Sequence, residues 1–185
     1  MQDPLLFALA VIALLATPGP TNTLLAASGA LAGYRRSLPL LAAEIAGYLA
    51  AIGTLHLVLG QIIATSPLVQ AALRLAVGAY LLAAAWKLWQ RRDDIAGTGR
   101  AIGFGRVLVT TLLNPKAAVF AFVVLPLSQP QPWPYLLAFV LLTAAAGSAW
   151  ILLGAAIGRS GTARRAVSRV AATALVLFAG LIAAG

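Results

Sequence analysis

Apolar runs separated by short polar breaks organise the chain. Six of them fall at roughly 5–27, 37–60, 67–89, 105–127, 133–157 and 166–184. Each is close to the ~20 residues a helix needs to cross the hydrocarbon of a bilayer. The breaks read GYRRS, TSPL, QRRDDIAGTGR, LSQPQPWP and GRSGTARRA, which is turn and loop chemistry. The pattern therefore predicts six transmembrane helices joined by short loops. The first run has no basic segment before it and no small-residue cleavage site after it, so it reads as a retained span and not as a secretory signal.

Composition fixes the class. Hydrophobic residues make up 62% of the chain and charged residues 9%, against about 25% charged in a typical soluble domain. The net charge of +9 does not point to nucleic acid. The arginines sit in gaps between apolar runs, with no basic face interleaved with aromatics. Their distribution orients the protein instead. Arg35 and Arg36 lie in the first loop; Arg91, Arg92, Arg100 and Arg106, with Lys87 just before them, in or beside the third; Arg159, Arg164, Arg165 and Arg169 in or beside the fifth. The second and fourth loops and both tails carry no Lys or Arg. Basic residues are retained in the cytoplasm, so loops one, three and five face inward and both termini are expected outside. Trp86 and Trp89 at the inner end of span three, and Trp133 and Tyr135 at the outer end of span five, occupy interfacial belt positions.

The two halves of the chain resemble each other. Spans one to three and four to six start at offsets of about 96–100 residues. A repeat of three spans inverts the second copy across the bilayer, as in many secondary transporters, whose sites lie at the repeat interface near mid-membrane. We therefore expect one all-α transmembrane domain over 1–185, built as inverted repeats of about 1–95 and 96–185. Span one contains Thr17-Pro18-Gly19-Pro20 and span four contains Asn114-Pro115-Lys116; Pro18 and Pro115 are 97 residues apart. Proline removes a backbone donor and clashes with the preceding turn, so both helices should break there. Backbone groups freed at membrane depth must find partners or line a cavity. Matched breaks of this kind are a sequence pointer to a transporter site. The candidate substrate-binding residues are Thr17, Pro18, Gly19, Pro20, Asn22, Glu44, Asn114, Pro115 and Lys116.

At these residues the chain resembles the LysE (lysine exporter) superfamily, nearer its RhtB branch of homoserine, threonine and cysteine-type exporters. The resemblance rests on TPGPTNTLLAASGALAGYRRSLPLLAAEIAG at 17–47, LRLAVGAYLLAAAWKLW at 73–89 and LLNPKAAVF at 112–120. It implies export of amino acids and close derivatives from the bacterial cytoplasm across the inner membrane, driven by the proton gradient. Pro18, Gly19, Pro20, Asn114, Pro115 and Lys116 match the family's motifs. The chain departs from the family pattern at Thr21, which precedes Asn22 where an asparagine usually follows the first motif directly. It departs again at Glu44, where many members have a small residue.

Few other residues carry chemistry. Glu44 lies about two turns into span two, where a carboxylate costs roughly 2.5–3.5 kcal/mol on insertion scales. Two roles are open to it: facing the central cavity, to take the substrate ammonium, carry the exchanged proton or pair with Lys116; or reaching the inner interface to meet Arg35 or Arg36. Lys116 is too deep to reach either interface easily and is read as a site or gate residue, with structural pairing as the alternative. Arg74 reads as a snorkelling anchor before an outward gate. His56 reads as interfacial, and Tyr48 and Trp150 as packing. Gly29 with Gly33, and Gly154 with Gly158, are small-xxx-small pairs suited to close helix contact.

An enzyme fits poorly. His56 is the chain's single histidine, with no obvious serine beside it, and Glu44 and His56 are too few to hold a metal. With no cysteine, thiol redox chemistry and disulfides are excluded. No G-x-x-x-x-G-K-[ST] loop is present, so the chain does not itself use ATP through one. No cofactor or metal is expected. One intramembrane acid beside at least one base tilts the substrate toward neutral, zwitterionic amino acids. Other small polar metabolites, cationic amino acids and a non-transporting membrane subunit are the alternatives. The sequence leaves the oligomeric state open, a homo-oligomer among the options.

Overall fold

A computed structural model describes residues 3–66, 102–157 and the isolated positions 68, 71, 72, 75 and 79. Among the described residues the regular elements are all helices: α1 (Pro4–Ala16), α2 (Pro20–Ala32), α3 (Tyr34–Ser37), α4 (Pro39–Thr65), α5 (Phe104–Leu112), α6 (Lys116–Val119), a π-helical turn (Phe120–Val124) and α7 (Trp133–Ile157). Most of spans three and six, and with them Arg74, Trp86, Trp89 and Gly158, lies outside the described residues.

Local chemistry sets the boundaries. α1 opens with Pro4 in its first turn and Asp3 before it, whose Oδ1 accepts the Leu5 and Leu6 amides at 2.7 and 3.2 Å. It ends because Thr17 and Gly19 each precede a proline, which disfavours the helical basin. Thr17 adopts φ −62°, ψ 124° and Gly19 φ −151°, ψ 178°, both extended. Pro20 then pre-sets the first turn of α2. α2 ends at Gly33, whose φ of +82° favours glycine, and the chain turns there into α3. α5 stops for the same reason as α1: Asn114 precedes Pro115. The α1–α2 pair bends by 63° and the α5–α6 pair by 53°, so the first and fourth spans are broken as expected from their prolines.

α4 supplies a span at Tyr34–Val58 together with α3, and α7 one at Trp133–Ala156; each bent pair is apolar enough for another. The fifth expected span, 133–157, coincides with α7, while the second runs on past its expected end to Thr65. Leu5, Leu9, Leu57, Leu137 and Leu141 are all more than half exposed, an apolar exterior that suits lipid and not water.

α2 lies along α7 and α4 along α5. In the α2–α7 seam, a Cβ on Gly29 would strike the Ile151 carbonyl and one on Gly154 the Ala26 carbonyl. The two backbones touch with no side chain between them, the close approach that small residues permit between membrane helices. Gly33 does not share in it: nothing lies within 4 Å of where its Cβ would be. The expected Gly29/Gly33 packing pair is thus half right, because the positive φ of Gly33 commits it to the turn.

Apolar burial splits into two clusters. One gathers Phe7, Leu14, Tyr48, Phe120 and Phe139, with the three rings of Tyr48, Phe120 and Phe139 edge-on to one another at 4.8–6.0 Å. The other gathers Leu25, Leu40, Ala43, Val107 and Ile151. Most buried polar residues fall between the two: Thr17, Thr21 and Asn22 in span one, Glu44 on α4, Thr111, Asn114 and Lys116 in span four, and Thr143 on α7; Ser28 and Ser37 lie beyond Leu25 and hydrogen-bond each other at 2.8 Å. A buried polar layer thus crosses the molecule between two apolar ones.

Candidate functional site

The polar layer is built by the two breaks. A continuous span one would have spent the Leu15 and Thr17 carbonyls on the amides of residues 19 and 21, and Pro18 and Pro20 would have offered none. The extended Thr17–Gly19 link removes both of those bonds, and side chains take the place of the lost amides. Asn22 Nδ2 donates to the Leu15 and Thr17 carbonyls, both at 2.7 Å. Trp150 Nε1, from α7, donates to Leu15 O at 3.1 Å. Lys116 Nζ, from the start of α6, donates to Thr17 O. Each of these carbonyls thus receives two donors.

Lys116 is fully buried and its ammonium sits at the carbonyl end of α1. That is the electrostatically favourable end of a helix for a cation. The side chain passes so close to Gly19 that a Cβ there would come within 3.2 Å of Lys116 Cε and Nζ. Gly19 therefore gives the lysine its path to Thr17.

The second break reaches toward the first in the same way. Asn114 Oδ1 accepts the Lys116 amide at 3.1 Å, an Asx-type turn that holds the chain through the proline. Its Nδ2 donates to Thr21 Oγ1 at 3.1 Å and lies 3.4 Å from Tyr48 Oη. Thr21 Oγ1 also lies 3.0 Å from Thr111 Oγ1, and Thr111 donates back to Val107 O at 2.8 Å. Beyond Lys116 the helix widens, and Leu125 donates to Phe120 O at 2.8 Å, five residues back. Such π turns recur at functional sites.

Of the sequence-derived candidates, Thr17, Asn22, Asn114 and Lys116 meet directly or through one shared atom, and Pro18, Gly19, Pro20 and Pro115 shape the breaks that let them meet. Glu44 belongs to the same layer and is 1% exposed, which removes the reading that it reaches the inner interface. Among the described residues it makes no ion pair with Arg35, Arg36 or Lys116. The ammonium of Lys116 is committed to Thr17 instead, and Glu44 Oε2 has no hydrogen-bond partner.

Sequence reasoning passed over Thr21 and Thr111 as site residues and assigned Tyr48 and Trp150 to packing. The packing reading holds for the Tyr48 ring, but its hydroxyl faces Asn114, and the Trp150 indole caps α1. A signal was present in the stretch TTLLNPK, where a hydroxyl stands three residues before the asparagine, one helical turn away.

A family model described as LysE type translocator matches residues 12–184. The chain belongs to the LysE type translocator family. No curated protein and no solved structure matches it significantly. As a LysE type translocator it is a multi-pass membrane protein that exports amino acids or other small metabolites, and its relatives are transporters and not enzymes. The RhtB branch is compatible with this match.

Proposed function

We propose that this translocator is a secondary exporter of small neutral amino acids or their derivatives, moving them out across the bacterial inner membrane by alternating access in exchange for protons. The observation that supports this best is the joining of the two proline breaks: Lys116 of span four caps the Thr17 carbonyl of span one, and Asn114 reaches Thr21. Two helix interruptions 97 residues apart in sequence share one buried polar layer. Broken helices at a common depth are how many secondary transporters expose backbone poles to a substrate.

The substrate class follows from the charges. The described part of the layer holds one acid, Glu44, and one base, Lys116. A zwitterion offers one ammonium and one carboxylate, which complements that pair. Lys116 releases Thr17 and takes the substrate carboxylate as the breaks open; Glu44 serves the ammonium or the exchanged proton. The arginine pattern supports a topology with both termini outside and an inverted-repeat domain over 1–185.

The test is efflux from proteoliposomes. Purified protein is reconstituted with a panel of labelled amino acids inside and a pH gradient is imposed. Gradient-dependent efflux of a small group such as serine, threonine and homoserine is the expected result. Correctly inserted protein that moves none of the panel in either gradient direction overturns the reading and favours another small polar metabolite, then a non-transporting subunit.

A further inference from the structure

Two buried polar side-chain atoms among the described residues have no hydrogen-bond partner: Glu44 Oε2 and Thr143 Oγ1. They belong to different helices, and the packing brings them to one place. On α7, Phe139, Thr143 and Gly147 follow one another at intervals of four residues and so form one stripe. On α4, Tyr48 and Glu44 do the same. The Phe139 ring meets Tyr48 edge-on, with centroids 6.0 Å apart. At the other end of the stripe, a Cβ on Gly147 would collide with Glu44 Oε2. Thr143, 0% exposed, stands midway between these two contacts and therefore against the interval between Tyr48 and Glu44.

Folding leaves few buried polar atoms unpaired, and each one needs a reason. Here both fall in the polar layer, between the apolar cluster of Phe139 and that of Ile151. Threonine could have been valine in this apolar helix at no cost in packing volume. A carboxylate oxygen and a hydroxyl oxygen are both acceptors. The two atoms do not hydrogen-bond each other in this structure, so each still lacks a partner. A primary ammonium, with three N–H donors, satisfies both at once.

We infer that Glu44 and Thr143 together form the subsite for the ammonium group of the transported molecule, with Gly147 keeping open the space beside the carboxylate. Thr143 is thus a specificity-determining residue on α7, a helix to which the sequence assigned no site residue. The inference rests on the reading of this chain as an exporter of amino acids. Lys116 of span four acts electrostatically on Glu44, and α2 presents the apolar Leu25 beside Gly147.

Binding to the purified, full-length protein tests it, with three probes: L-threonine, 3-hydroxybutanoate, which is the same skeleton without the amine, and isopropylammonium, a small primary ammonium with neither carboxylate nor hydroxyl. The wild type is expected to bind L-threonine at least tenfold more tightly than 3-hydroxybutanoate. Thr143→Val should weaken L-threonine and isopropylammonium about three- to tenfold and leave 3-hydroxybutanoate unchanged. Its thermal stability should not fall, since the hydroxyl it removes has no partner in the protein. Glu44→Gln should erase the preference for the amine, and Gly147→Ala should weaken both amines. An unchanged amine preference in Thr143→Val and Glu44→Gln overturns the subsite. If the wild type neither binds nor moves any amino acid, yet holds isopropylammonium in a manner lost in Glu44→Gln, the amino-acid reading falls while the ammonium subsite stands. If it holds no amine at all, both fall.

Discussion

The breaks in the first and fourth spans arise from the same rule and are repaired in opposite ways. In both, a residue that precedes proline is driven out of the helical basin. The break at Thr17–Gly19 leaves carbonyl oxygens to be satisfied, and it imports its donors: Asn22 from α2, Trp150 from α7 and Lys116 from α6. The break at Asn114–Pro115 heals itself with one Asx turn and sends its donors outward, the Lys116 ammonium to Thr17 and the Asn114 amide to Thr21. One break is an acceptor and the other a donor. Matched positions in the sequence have become complementary halves of one contact, which is why neither motif carries the chemistry without the other.

The strongest way to break this complementarity is at Lys116. A hydrogen bond to a charged group contributes about 1.5–3 kcal/mol, so Lys116→Met is expected to lower the gradient-driven efflux rate roughly 10- to 100-fold. Proteoliposome flux measures it, with thermal unfolding of the purified variant as the control for assembly. Efflux at the wild-type rate would show that the two breaks work independently. Asn22 comes next, because it supplies two of the imported bonds at about 0.5–1.5 kcal/mol each. Asn22→Ala should lower the unfolding temperature measurably. Asn22→Asp should lower it further, since it turns acceptor oxygens toward carbonyls. If Asp were the milder change, the amide's role as a donor would be wrong. The smallest effect belongs to Trp150→Phe, which removes one bond and leaves Leu15 O with Asn22; a loss of about 0.5–1.5 kcal/mol in stability is expected, and its flux should stay within about tenfold of wild type.

The difference between the breaks also marks what could be read in advance. Their existence and depth were legible, because proline's effect on its own helix and on the preceding residue is local. The span over 133–157 was legible because its apolar run is long and bounded by turn chemistry at Gln131–Pro132. The depth of Lys116 in its span was readable too. Its partner was not: pairing with Glu44 satisfied charge counting equally well, and only the fold shows that a backbone carbonyl of span one lies nearer its reach. Thr143 and Gly147 were invisible for a related reason. A lone hydroxyl and a lone glycine in an apolar helix mean nothing until the helix opposite is known to present a carboxylate.

The glycine seam between α2 and α7 has a mechanical consequence. Gly29 rests on the Ile151 backbone and Gly154 on the Ala26 backbone, with no rotamers in between to absorb a displacement. Any swing of α2 about the extended Thr17–Gly19 link must carry α7 with it as a single lever. Trp150 of that lever is tethered to Leu15 on the other side of the pivot. On the proposed alternating-access cycle the polar layer would open against a stiff pair of helices whose fulcrum is Pro18-Gly19-Pro20, and a cross-link between α2 and α7 should leave the stroke intact while one between α1 and α2 should stall it.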